Sequence, residues 1–219
     1  MPRALFEKTG QAVWMSHLDL MRLFQRAFKR AGLLLTHTQG YNPRPSVSIA
    51  LPLSVGVESH CELLDFDLEG EGVSCEEIKN RLNNALVEGV RVLDVYENEG
   101  KIKNLALLDC VVTLEYDTGI PEGAVEAITS LFTQKSLIVE KKGKNGVTEQ
   151  DIVPMIRKMG VLRQDDHCIR LKARICCQNP TLNPVQLGAA IAKYLTQYVP
   201  DFVSSCREEI YTQEETIFR

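Results

Sequence analysis

The chain has 219 residues, 44% hydrophobic and 25% charged, with 25 Lys and Arg against 29 Asp and Glu for a formal net charge of −4. Apolar content this high with mixed charge excludes a disordered or fibrous chain. At this length folding buries about 70% of the surface an unfolded chain exposes, so neither metal nor disulfide is needed to hold a core.

Residues 3–8 read as a short strand. Ser16 followed by Asp19 is a capping-box pattern and predicts a helix over 16–31, with Gly32 as its stop. Projected at 100° per residue, Leu20, Leu23, Phe24, Ala27, Phe28 and Ala31 fall on one side. Arg22, Arg26, Lys29 and Arg30 fall on the other, within a sector of about 100°. A short apolar stretch at 33–36 leads into TQGYNPRPS, where Gly40, Pro43 and Pro45 mark a stiff loop. Segments 46–53 and 61–68 have strand character, 75–88 a helical one, and 90–96 closes this part as a strand.

The polar run ENEGKIKN at 97–104 is the expected boundary, and the order then recurs. Strands are predicted at 107–116 and 136–141, the second turning at KKGKNG, with a helix over 121–132 between them. Pro154 interrupts either period in 147–162, which reads as extended structure in two pieces. A strand at 167–177, a helix at 184–198 and a strand at 206–212 follow. The expected fold is α+β: two tandem ferredoxin-like (βαββαβ) units with antiparallel sheets, 1–98 and 105–219.

Charge is spread unevenly along the chain, with a break near His60. Residues 1–60 hold seven basic against three acidic groups, a net of +4, while the rest hold 18 against 26, a net of −8. Three of the four histidines, His17, His37 and His60, lie in the basic part. This asymmetry points to an anionic partner that meets residues 1–60. Seven cysteines without regular spacing and without a CxxC favour buried apolar roles over zinc or an iron–sulfur cluster, so no metal and no cofactor are expected. No apolar run approaches the ~18 residues of a membrane span, and the opening MPRALFEKTG lacks the apolar core of a signal peptide. The expected address is the cytoplasm, with no membrane contact.

The basic helix face is the first candidate site. Guanidinium groups at i, i+4 and i+8 share one surface and bind phosphate oxygens in forks; the alternative is a solvated face paired with acids, beginning with Asp19 beside Arg22. On the stiffened loop, Tyr41 could stack a base while Asn42 and Arg44 grip phosphate; the alternative is an ordinary connection. His17 follows the cap residue, where the helix dipole favours a neutral imidazole able to act as a base, but it also lies at the edge of the apolar side. Asp65 and Asp67 would share a strand face, as a cation site or as solvent-facing acids. Phosphate-loop, dinucleotide, nucleophile-elbow and zinc-protease motifs are absent.

Three runs carry a resemblance: KTG (8–10), SHLDLMRLFQRAFKRAGL (16–33) and TQGYNPRPSVSIALPLSVGVES (38–59). With weaker matches at DIVPMIRKM (151–159) and NPTLNPVQLGAAI (179–191), the chain resembles the radical-SAM-linked DUF2344 family. The resemblance implies a stand-alone companion of a radical SAM protein, the family's activity being uncharacterised. The positions it marks as functional surface are Lys8, His17, Asp19, Arg22, Arg26, Arg30, Tyr41, Asn42 and Arg44. Three functions are therefore open. The first is an accessory module that binds RNA, or another phosphorylated substrate, through Lys8, Arg22, Arg26, Lys29, Arg30, Tyr41, Asn42 and Arg44. The second is a metal-independent ribonuclease or RNA-modifying enzyme using His17, a reading that a fold-level likeness to CRISPR RNA-processing endonucleases also suggests. The third is a protein-docking module that meets no nucleic acid.

Overall fold

A computed structural model describes every residue of the chain except Glu71, Glu99, Lys144 and Asn145. The chain divides into two units, Met1–Ile102 together with Arg219, and Lys103–Phe218. Glu99 of the polar boundary run and Lys144 and Asn145 of the KKGKNG turn thus lie outside the described residues.

In the first unit, strand β1 (Pro2–Lys8) leads through a short 3-10 turn at Gly10–Trp14 into helix α1 (His17–Arg30). The helix starts where Ser16 Oγ accepts the Asp19 amide at 3.2 Å, satisfying one of the donors a helix leaves open at its first turn. It stops at Gly32, whose φ of +67° suits a residue without Cβ. Leu20, Phe24, Ala27 and Phe28 are buried. Phe24 meets Phe6 of β1 edge-on at 4.8 Å, and Phe28 tilts against Phe66 at 4.9 Å. Strand β2 (Val47–Ile49), strand β3 (Val57–Phe66), helix α2 (Cys75–Ala85) and strand β4 (Val90–Glu97) complete the unit. Antiparallel pairing orders its strands β4-β1-β3-β2, with Ile78 and Leu82 of α2 in the same core as the α1 side chains.

In this unit two strands depart from the sequence reading by several residues. The segment predicted at 46–53 pairs only over three residues, although Leu51 and Leu53 beyond them are buried. The strand predicted from 61 begins at Val57, because Ser59 and Glu62 are buried polar residues that break the apolar alternation. Ser59 donates to Glu62 Oε1 at 2.7 Å, which makes their burial tolerable. Asp65 is neither a solvent-facing acid nor a cation ligand. It lies directly across from Arg3 of β1 in a buried ion pair, with Nε at 2.5 Å from Oδ1 and Nη2 at 2.9 Å from Oδ2.

The second unit runs β5 (Leu105–Glu115), α3 (Ala124–Leu131), β6 (Ile138–Gly143), β7 (Gly146–Asp151), β8 (Ile156–Arg163), β9 (Cys168–Cys176), α4 (Val185–Tyr194) and β10 (Phe202–Thr212). Its main strands are antiparallel in the order β10-β5-β9-β8. In both units the last strand lies beside the first, then the third, then the second. β6 and β7 pair only with each other. Pro154 lies in a 3-10 turn, Val153–Met155, where the two extended pieces part. α3 begins at Ala124, three residues after Pro121, because Gly123 ahead of it holds a left-handed φ of +79°. The fold is α+β, mostly antiparallel sheet with four α-helices among the described residues. None of these helices is long and apolar enough to cross a membrane.

Candidate functional site

Helix α1 presents Arg22, Arg26, Lys29 and Arg30 to solvent, all exposed. The four are not equivalent. Arg22 Nη1 donates to Asp19 Oδ1 at 3.2 Å, the pair that the spacing suggests. The Ser16 hydroxyl donates to the other Asp19 oxygen at 2.6 Å, and this bond, followed by Arg22 and Arg26, holds the carboxyl below its ordinary 3.8. Arg30 turns to α2, where its guanidinium donates to the carbonyl of Ala85, one of the acceptors a helix leaves open at its last turn. Arg26 and Lys29 make no ion pair or hydrogen bond among the described residues. They are the cations of this face left available to a partner.

The loop after α1 is a narrow excursion closed by two rungs. Ser46 N donates to Thr36 O at 2.8 Å and Thr38 N to Arg44 O at 2.8 Å, while Arg44 N donates to Thr38 Oγ1 at 3.0 Å. Its base is tied to the residue after β3, with Thr36 Oγ1 donating to Asp67 Oδ2 at 2.9 Å. Asp67 is thus an anchor for the loop. At the tip Tyr41 is 100% exposed, and Asn42 and Arg44 are exposed beside it. A cavity of about 410 Å³ opens between α1 and the base of the loop, lined by Gln25, Phe28 and Lys29 with His37, Pro45 and Glu69. That volume lies in the range of small-ligand pockets.

The structure therefore brings Lys29 to the base of the loop and leaves Tyr41, Asn42 and Arg44 at its tip. Among the described residues no hydrogen bond or ion pair joins the tip to the α1 cations. His37 and Glu69 are cavity residues the sequence reading missed. No sequence pattern marks them, since His37 reaches the cavity through its bridge to Pro45, which only the folded loop reveals.

Two expected residues lie elsewhere. Lys8, read as part of the phosphate-binding surface, is fully buried, and its ammonium donates to the Met15 carbonyl at 3.0 Å. It fixes the passage from β1 to α1, since a buried cation is tolerated when hydrogen-bonded. His17 is the first residue of α1, half-buried, with its Nδ1 buried and without a hydrogen-bond partner among the described residues. A general base is normally oriented by a second group through its other ring nitrogen. None is bonded to His17 here.

The model of a family described as an uncharacterized protein conserved in bacteria (DUF2344) matches residues 2–184. The chain belongs to the DUF2344 family. A search of curated protein sequences finds no match to it. Among solved structures, a chain of a Cbf5-Nop10-Gar1 complex is similar to this DUF2344 chain at 9% identity and a TM-score of 0.52, over 95% of this chain and 48% of that one. The DUF2344 chain thus spans about half the length of that structure, and the likeness is one of fold. A second structure, an unknown protein from Galdieria sulphuraria, aligns at 14% identity over 94% of this chain and 96% of that one, with a TM-score of 0.27.

Proposed function

We propose that this DUF2344 chain is a non-catalytic accessory protein, built of two ferredoxin-like units, that binds RNA or another phosphorylated substrate on the α1–loop surface and presents it to a radical SAM partner. The observation that carries the reading is the pair Arg26 and Lys29. Both are exposed and uncommitted on a helix whose other cations are held by Asp19 and Ala85, and Lys29 borders a cavity walled by the loop. Exposed Tyr41 adds a ring on which a base can stack. The unit architecture is supported by βαββαβ connectivity and one shared strand order. The radical SAM partner is supported by the resemblance of the three N-terminal runs. An unoriented His17 supports binding over catalysis.

The test is fluorescence anisotropy on labelled single-stranded RNA across a salt series. Each phosphate contact contributes about 0.7 to the slope of log affinity against log salt. Arg26→Ala/Lys29→Ala is expected to make the slope shallower by about 1.4, and an unchanged slope and affinity overturns the reading. Co-purification with the radical SAM partner, with and without nuclease, checks the second half. Capture of the partner with no RNA bound in either arm supports docking without nucleic acid.

A further inference from the structure

Residues 61–219 carry a net charge of −8, yet the open face of the second unit's sheet carries a row of cations. Along β9, Ile169, Leu171, Ala173 and Ile175 are buried, while Arg170 and Lys172 between them are exposed and Arg174 continues their line. Alternate residues of a strand stand on one face at steps of about 7 Å. Cross-strand register places Lys158 of β8 beside Arg174 and Gly160 beside Lys172, with Asp109 and Val111 of β5 on the other flank. Gly160 adds no side chain beside Lys172. The result is a depression of about 470 Å³ lined by four cations, Lys158, Arg170, Lys172 and Arg174, and two acids, Asp109 and Glu208.

Two of the nearby acids, Asp109 and Glu215, are committed to cations. Asp109 takes Arg174 in a two-pronged bond at 2.7 and 2.8 Å, and Glu215 accepts from both Arg174 and Lys158 at 2.6 Å. Arg174 also lies over the Tyr211 ring, 3.8 Å from its centre, so that ring is covered. Arg170 and Lys172 have no acidic partner among the described residues.

We infer that this face of the second unit is a separate binding surface for the sugar–phosphate backbone of single-stranded RNA, with Arg170 and Lys172 as its principal contacts. One phosphate is gripped by donors that converge on it. These cations instead stand in file, which matches a chain of charges. β9 is flanked on both sides by paired strands, so a ligand lying along it is held by side chains and not by strand pairing with β9. With Tyr211 covered by Arg174, this face reads backbone and not bases, so binding is indifferent to sequence. The inference stands apart from the α1 reading, although both name RNA.

The experiment uses the full chain and labelled poly(U) and poly(A) of about 16 nucleotides, a length an oligonucleotide-binding surface can span. Arg170→Ala/Lys172→Ala is expected to weaken binding about 20-fold near 0.1 M salt, with a slope shallower by about 1.4, equally for both sequences. The exchange Arg170→Lys/Lys172→Arg is expected to retain binding, and unchanged circular dichroism confirms that both variants fold. Wild-type affinity in the alanine variant, or no binding by the wild type, overturns the inference. So does displacement of poly(U) by polyglutamate at equal charge, which assigns the face to acidic proteins. Arg26→Ala/Lys29→Ala is measured in parallel. Loss of binding in that variant alone overturns this surface and leaves the α1 reading intact, and loss in the 170/172 variant alone does the opposite.

Discussion

Ser16 uses one oxygen twice. It accepts from the Asp19 amide, which starts α1, and donates to the Asp19 carboxylate, which fixes the acid beside Arg22. Ser16→Ala is expected to cost about 1 kcal/mol, read from the urea midpoint. It is also expected to return the Asp19 titration, followed by NMR, toward 3.8, because the lost hydroxyl is the first cause of its depression. Lys8 teaches the opposite lesson about single residues. Its charge reads as surface in any sequence, and only its bond to the Met15 carbonyl shows that it is interior.

At the scale of elements, Arg3 and Asp65 join β1 to β3 at directly opposed positions. Removing one partner leaves an uncompensated buried charge, so Arg3→Met or Asp65→Leu alone is expected to cost about 3–5 kcal/mol. The double variant is expected to cost far less than their sum. A denaturation double-mutant cycle in which the two effects simply add counts against that coupling. The helices were legible in the sequence from their period, and α1 also from its start and stop residues, Ser16 and Gly32. β3 was half legible, since Ser59 and Glu62 satisfy each other inside the sheet and period-2 reasoning has no way to know it. β10 starts at Phe202, four residues earlier than its sequence suggests, since exposed Phe202 and buried Ser205 invert the usual pattern. The α1 cations were legible from helical projection alone. Which two of them are uncommitted was not, because the acceptor of Arg30 is a backbone carbonyl 55 residues away.

For the molecule as a whole, net charge is a poor map of where charge acts. Averaging over residues 61–219 yields −8 and hides RLKAR, whose three cations alternate onto one strand face. Three carboxyl groups set the acid side of the response to pH. Asp19, Asp151 and Glu215 are all held below their ordinary values, first by the Ser16 hydroxyl, the Leu137 amide and the Lys158 ammonium respectively. A depressed carboxyl adds stability above its unfolded value, here 3.8 to 4.5, and loses it as pH falls through the lower folded value. Burial pushes the Cys110 thiol from 9.0 to about 12, so its contribution is complete below pH 9 and is lost as pH rises toward about 12. Urea midpoints measured across pH are therefore expected to fall below about pH 4.5 and above about pH 9. Glu215→Gln is expected to flatten the acid limb; an acid limb as steep as the wild type's counts against this assignment.

The β6–β7 hairpin has a counterpart in the first unit. It lies between the first helix and the second main strand of its unit, and the loop at 36–46 occupies that same place between α1 and β2. Each insert is anchored locally, the loop through Thr36 to Asp67 and the hairpin through the carbonyl of Ile138, which accepts from Lys193 Nζ at 2.9 Å. Both inserts thus fall at the same point of the element order, outside the pairing of the main strands. A tag grafted into the β6–β7 hairpin is therefore expected to leave the pairing of the main strands intact, read as an unchanged urea midpoint.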